Sequence, residues 1–333
     1  MPRKRIARMM AVALLATPLV AQAQYAADFE APAFSAAMAG IPLAGQDGFY
    51  LPTGAIDGRC YVYDGNALGI APNPLGGAQF VACTRAVSDY ARAQHDVNWG
   101  QGEACWIFEL DLNLHFVGEL PTLNYAGSVS LQPFPGDGAI ILLFKWDDVS
   151  AADRFTVNVL GHAADGHTPY VGGLPIGHAA FQGLDANTWY RLGLRVEFTL
   201  NALTAISIRD ISNGGATTGF IPLNLDGYYL GGGAAAGDRP AAVRIFGGGG
   251  FETDHVAGNT LAVDNLRLLA AGARDCLGDI DFNQQVDIQD LAFLLNSFGI
   301  AAGATYSDGD LDCDGDVDLD DLAVMLANFG TFC

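Results

Sequence analysis

The chain has 333 residues, 37 acidic and 16 basic, for a net charge of −21. Such an excess of acid argues against nucleic acid or an anionic membrane surface as partner. Half of the residues are hydrophobic and 16% are charged, which excludes a disordered chain and leaves room for one large globular domain or two unequal ones.

At the N-terminus Arg3, Lys4, Arg5 and Arg8 precede the apolar run "MMAVALLATPLV" and then "AQAQ", with Ala21 and Ala23 spaced for cleavage. This predicts a secretory signal over 1–23, a mature chain from near Gln24, and an oxidising compartment. No later segment has the roughly 18 apolar residues of a membrane span. Six cysteines follow: Cys60, Cys83, Cys105, Cys276, Cys313 and Cys333. None forms a CxxC pair, so a zinc or redox motif is not expected, and spacing alone leaves the pairing open.

From 24 to 269 short alternating runs lie between Gly-rich turns. "WIFELDLNLHF", "AIILLFKW", "DRFTVNVLG", "TWYRLGLRVEFTL" and "LTAISIRDI" read as strands of period two, and only "RAVSDYARAQ" near residue 90 has helical spacing. The expected fold is an antiparallel two-sheet jelly roll. "DFE" (28–30), "NTWYRLGLRV" and "LAVDNLRLL" resemble concanavalin A-like lectin and glucanase sandwiches; a galactose-binding-like jelly roll shares the opening and closing strands. Pairing of the first and last strands would bring Asp28 or Glu30 near Asp264 and Asn265, as a hydrogen-bond cluster or a structural calcium site.

In "ELDLNLH" the leucines would face the core and Glu109, Asp111, Asn113 and His115 the other side. The run resembles the E-x-D-x-E strand of laminarinase- and lichenase-type glucanases, with Glu109 matching the nucleophile and Asp111 its helper. Asn113 stands where the acid/base Glu belongs, and an amide cannot supply that proton; an ordinary outer strand face is the expectation, with no catalytic residue assigned. His162, Asp165 and His167 in "GHAADGH" lack a third convergent ligand for a metal. Tyr61, Tyr63, Trp99, Trp106, Trp146, Trp189, Tyr228 and Tyr229 could stack on sugars or fill the core.

A linker at 270–275 leads to an unusual tail. Cys276 to Cys333 holds twelve Asp and no Lys, Arg, Glu or His. "GDIDFNQQVDIQDLAFLLNSFG" (278–299) and "GDLDCDGDVDLDDLAVMLANFG" (309–330) repeat at a spacing of 31. Each is a twelve-residue loop followed by a helix, with Leu291, Leu294, Leu295, Phe298 and Leu322, Met325, Leu326, Phe329 expected on the buried face. Gly299 and Gly330 read as helix C-caps.

The loops carry the oxygen spacing of an EF-hand calcium loop. The second offers Asp310, Asp312, Asp314, the Asp316 carbonyl, Asp318 and Asp321, with Gly315 at the sharp turn. The first offers Asp279, Asp281, Asn283, the Gln285 carbonyl, Asp287 and Asp290, with Gln284 where Gly belongs. Two calcium ions are expected, the second loop the stronger, and Val317 is expected to pair with Val286. Loop-helix repeats with Asp at position 12 resemble the dockerin module. The resemblance implies a small all-α calcium-binding domain over 276–333 that plugs a secreted protein into a cohesin. Ile288, Gln289, Leu319 and Asp320 stand where small hydroxyl residues commonly choose that partner.

The sequence thus reads as a secreted, calcium-binding, mainly β jelly-roll sandwich followed by a dockerin-like attachment module. The sandwich is expected to be non-catalytic, with polysaccharide as its ligand class and a cohesin-like or cell-surface protein as the tail's partner. A polysaccharide-degrading glycoside hydrolase carrying a dockerin and a purely structural surface protein are the alternatives. Chelation is expected to melt the helices of 276–333 and leave the sandwich standing.

Overall fold

The structure, a computed structural model, describes residues 25–52, 60–84, 91–97, 105–118, 125–132, 140–147, 153–165, 168–169, 174–197, 200–231, 242–247, 259–270, 277–280, 285–302 and 304–332. The signal segment, Trp99, His167, the body of the linker, Asp281, Asn283, Gln284, Cys276 and Cys333 lie outside them.

The strands are β1 (Tyr25–Ala27), β2 (Ile41–Pro42), β3 (Cys60–Asp64), β4 (Gln79–Thr84), β5 (Ala91–Asp96) and β6 (Cys105–His115). They continue as β7 (Tyr125–Gln132), β8 (Ile140–Trp146), β9 (Arg154–Leu160), β10 (Leu174–Pro175), β11 (Leu184–Asp185) and β12 (Trp189–Glu197). The last four are β13 (Ala202–Asp210), β14 (Ile221–Pro222), β15 (Ala242–Gly247) and β16 (Thr260–Ala270). The helices α1 (Ile288–Ser297) and α2 (Leu319–Asn328) end the chain. The larger sheet runs β14-β13-β12-β6-β16-β4-β3-β2, with β1 also on β16; the smaller runs β10-β9-β8-β7-β15-β5, with β11 on β9. Every named strand pairing is antiparallel.

Alternation builds the core between the sheets. In β8, Ile140, Leu142, Phe144 and Trp146 point inward while Ile141, Leu143 and Lys145 alternate with them. In β6, Trp106, Phe108, Leu110, Leu112 and Leu114 do the same. Trp106, Trp146 and Trp189, with Tyr63 and Tyr228, are buried and so belong to the packing rather than to a stacking platform. The segment "ARAQHD" is strand β5 rather than helix, because both its edges find partners in Tyr50 and β15, and hydrogen-bonded pairing outweighs a short helical spacing. Cys60 and Cys83, opposite each other on β3 and β4, form a disulfide. Cys313 is disulfide-bonded as well.

The outer face of the larger sheet is covered twice. The 65–78 loop brings Ala67 and Ile70 onto Phe80 and Trp189, and the Trp189 indole donates to the Ala71 carbonyl at 2.7 Å. Farther along the same face the C-terminal tail is seated: Cys313 packs with Ile107, Ala205 and Phe220, and Leu269 lies against them. Arg195, 1% exposed, stands at this contact. Its Nε donates to Glu197 Oε1 at 3.2 Å, its Nη2 to Cys313 Sγ at 2.8 Å, and its guanidinium carbon lies 3.9 Å from the centre of the Tyr306 ring.

Candidate metal centre

The tail has its own small core. Ile280, Val286, Leu294, Ala304, Tyr306, Leu311, Val317 and Met325 form it. Each helix contributes one fully buried apolar side chain, Leu294 or Met325, with Leu291 and Leu322 partly buried against them. The remaining residues expected on the buried face are exposed instead: Leu295 53%, Phe298 42%, Leu326 57% and Phe329 45%. Two ten-residue helices are too short to enclose a broad apolar stripe, and the loop residues fill the core in their place.

Val286 and Val317 do not pair with each other as expected. Val286 N donates to the Thr331 carbonyl at 3.0 Å and its carbonyl accepts from Gly330 N at 2.7 Å; Val317 N donates to the Ile300 carbonyl at 2.9 Å and its carbonyl accepts from Gly299 N at 2.8 Å. Each loop therefore pairs with the turn that ends the other repeat's helix. Gly299 and Gly330 make those turns at φ +93° and +84°, in the left-handed region open to glycine.

The second loop curls around its carboxylates. Gly315, at φ +95°, donates its N–H to Asp310 Oδ2 at 3.1 Å. Asp312 Oδ1 accepts from Asp314 N at 3.3 Å, and Asp314 Oδ1 from Asp316 N at 3.1 Å. Asp321 closes the loop: Oδ1 accepts from Leu311 N at 2.6 Å, and Oδ2 from Asp318 N at 2.8 Å. Asp318 caps α2 through Asp320 N at 2.7 Å. Asp310, Asp312 and Asp314 form one triad and Asp316, Asp318 and Asp321 another, each with oxygens within 4.8 Å of one another. The Asp316 side chain, and not only its carbonyl, thus faces the group. Asp310 Oδ1 and Asp316 Oδ1 are buried and accept no hydrogen bond.

Two Asp-rich clusters in this loop could hold metal ions. Purely carboxylate oxygen, with buried lone pairs left unused, suits a hard cation such as calcium better than a soft metal. The electrostatics agree: burial, then Glu197 and Asp321, push the Asp310 carboxyl up to about 8. Burial, then Asp321 and Asp314, push Asp312 to about 6.

The described part of the first loop repeats this frame. Asp290 Oδ1 accepts from Ile280 N at 2.6 Å and Oδ2 from Asp287 N at 2.8 Å, while Asp287 Oδ1 accepts from Gln289 N at 2.7 Å. Asp279 and Asp290 are buried. Sequence reasoning missed Arg195 and Glu197, which the sandwich places beside Asp310; "RVE" in an apolar strand was the one signal, since two charges there need an outer-face partner.

On the sandwich, the glucanase-like strand is occupied structurally. Glu109 Oε2 accepts from Arg267 at 2.8 Å, and Asp111 takes two bonds from Arg191, at 2.7 and 2.9 Å. Asp111 also accepts from Asn73 at 2.7 Å and Asn265 at 2.8 Å. β1 does pair with β16, and Glu30, through Gln79 N at 2.6 Å, lies close enough to raise Asp264. Asp264 accepts from Asn265 N at 2.8 Å and Asn73 at 3.1 Å, so the place is a hydrogen-bond cluster. Asp165 caps a turn through Thr168 N at 2.8 Å.

Burial, with Asp111 and Glu30 adding to it, pushes Asp264 up to about 8. An unfolded Asp ionises near about 3.9, so the folded chain holds an extra proton between these values and loses stability as pH rises through that window. Melting temperature at fixed calcium should fall from about pH 5 to pH 8, and Asp264→Asn should flatten that slope; an unchanged slope in the variant would assign it elsewhere.

No family model matches the chain, and no curated protein matches it. Among solved structures, a carbohydrate esterase from the Shiga toxin-encoding bacteriophage phi24B is 13% identical with a TM-score of 0.43, over 75% of this chain and 99% of that one. A PL-14 alginate lyase from Aplysia kurodai is 13% identical, TM-score 0.39, over 63% and 90%. An endo-β-1,4-glucuronan lyase from Trichoderma reesei is 10% identical, TM-score 0.39, over 75% and 96%. At these identities and TM-scores the likenesses carry no argument about what this chain does.

Proposed function

We propose that the protein is a secreted, polysaccharide-associated β-sandwich carried by a calcium-binding attachment module at residues 276–333. The observation that supports the module most directly is the second loop, whose six aspartates form two oxygen triads with two buried oxygens unsatisfied. Asp310, Asp312, Asp314, Asp316, Asp318 and Asp321 would hold one ion, and Asp279, Asp281, Asn283, Gln285, Asp287 and Asp290 a second, weaker one. Calcium would supply the positive charge these carboxylates lack, and the frame of N–H bonds around Asp290 and Asp321 orients them for it.

Attachment is supported by what the helices leave outside. Ile288 and Leu319, Leu295 and Leu326, and Phe298 and Phe329 are three exposed pairs related by the repeat, at 65% and 69%, 53% and 57%, and 42% and 45%. A spacing of seven keeps Ile288 with Leu295, and Leu319 with Leu326, on one helix flank, and Phe298 and Phe329 follow at the C-caps. Exposed apolar residues clustered in this way mark a protein-docking face, and a cohesin-like or cell-surface protein is the partner in this reading. Among the described residues no helix is long and apolar enough to cross a membrane.

Calorimetric calcium titration of the full mature chain tests the reading. Two sites of unequal affinity are expected, with Asp310→Ala abolishing the tighter and Asp279→Ala the weaker. Absence of calcium heat in the wild type would reduce the tail to a solvated acidic segment.

A further inference from the structure

The outer face of the smaller sheet lies on the opposite side of the sandwich from the tail. Alternation in β5, β15 and β7 sends Ala93, Val243, Ile245, Val129 and Leu131 into the core. It leaves Arg92, Gln94, Arg244, Phe246, Ser130 and Gln132 on the other side, in neighbouring registers. Arg244 stands opposite both Gln94 and Ser130, and Phe246 opposite Arg92.

Arginines of both sheets pair with carboxylates, Arg154 of β9 meeting Asp185 at 3.1 Å on the smaller one. On the larger sheet Arg191, Arg195 and Arg267 each meet a carboxylate. Arg244 instead places Nε and Nη2 on one neutral oxygen, Gln94 Oε1, at 2.8 and 2.6 Å. Gln94 is held for this role, its amide nitrogen donating to the Tyr50 hydroxyl, which in turn donates to Asp96 at 2.7 Å. Among the described residues Arg244 has no ion-pair partner. Burial and the neighbouring Arg92 both disfavour its charge. Arg92 lies 5.1 Å over the Phe246 ring. A half-buried guanidinium held on a neutral oxygen, on a chain with an excess of 21 negative charges, is an arrangement that folding alone does not require.

We propose that this face binds an acidic sugar unit, its carboxylate or sulfate ester held by the Arg244 and Arg92 guanidinium groups. A planar fork matches either oxyanion with two parallel bonds. Gln94 is a positioning residue that aims Arg244, and Phe246 offers an apolar surface to the C–H face of a sugar ring. The inference rests on the polysaccharide-associated reading and names the substrate class of that reading.

The test is calorimetric binding to the full mature chain of oligogalacturonate, its methyl ester, a sulfated dextran oligosaccharide, a neutral cello-oligosaccharide and tripolyphosphate. The acid or the sulfate ester should bind, whichever identifies the oxyanion, and the methyl ester should bind more weakly than the acid. Arg244→Gln should weaken the acidic ligand roughly ten- to a hundredfold, and Arg244→Lys, which keeps the charge without the fork, should weaken it less. Arg209→Gln, on the larger sheet, should change nothing, and near-ultraviolet circular dichroism checks that each variant is folded. Ester bound as tightly as acid, tripolyphosphate bound equally well, or folded Arg244→Gln and Arg244→Lys variants without effect would overturn the inference and leave a neutral-sugar reading intact. No binding of any sugar would remove both.

Discussion

Arg195→Met should cost the chain about 3–5 kcal/mol, which makes it the most damaging single substitution we expect at the seam between tail and sandwich. The cost arises on Glu197, which is 1% exposed and whose Oε1 accepts from both Arg195 and Thr204. Burial already pushes the Glu197 carboxyl upward, and Arg195 is the first influence opposing it. Removing the guanidinium leaves a buried carboxylate without a counter-charge, and it also removes the stack on Tyr306 and the bond to Cys313. Arg195→Met combined with Glu197→Gln should restore most of the loss, because a neutral pair of similar volume carries no such penalty. Urea unfolding of the single and double variants at fixed calcium checks this. A cost below about 1 kcal/mol for the single variant would mean that water reaches the pair and screens it.

Chelation should lower the melting temperature of the sandwich as well as that of the tail. A ligand that binds only the folded state contributes about 2.7 kcal/mol at a hundred times its dissociation constant. For a chain of this size that is a fall of roughly 4 °C per strong site once calcium is withdrawn. The sequence suggests that such a loss stays within 276–333. Contact between Tyr306, Cys313 and the outer face of the larger sheet makes it shared, since a loosened second loop no longer covers Arg195 and Glu197. Calorimetric melting with and without EDTA, in wild type and in the Arg195→Met, Glu197→Gln pair, separates the cases. A sandwich transition that ignores chelation in the wild type would return the tail to the status of a free module.

The parts legible in the sequence were those governed by a local period. Strands β6, β8, β9, β12 and β13 follow from alternation, because one face of each is in the core and a shift of one residue would invert it. The loop geometry follows from spacing, since Gly315 and Asp321 each answer a backbone demand a few residues away. What the sequence hid depends on contacts between distant segments. The apolar spacing of α1 and α2 identified helices but not which flank is buried, because Leu294 and Leu295 satisfy the same template and only the fold tells them apart. Glu109 and Asp111 were expected on an ordinary outer strand face, but the sequence did not show that Arg267 and Arg191 from other strands hold them. Arg195 and Glu197 drew no assignment from the sequence, and only the seating of residues 306–313 on their strand makes them interior.

The reciprocal bonding of Val286 with Gly330 and Thr331, and of Val317 with Gly299 and Ile300, has a bearing on assembly. Each half of the tail supplies the edge that its twin lacks, so neither half is complete alone. The same bonds are all preserved if the halves come from two molecules, with the short stretch near residues 301–304 running across instead of turning back. Two chains exchanging their last helix would then be stitched together without gaining a single new contact. Stiffening or shortening that stretch is the means by which a monomeric protein could be turned into a calcium-dependent pair.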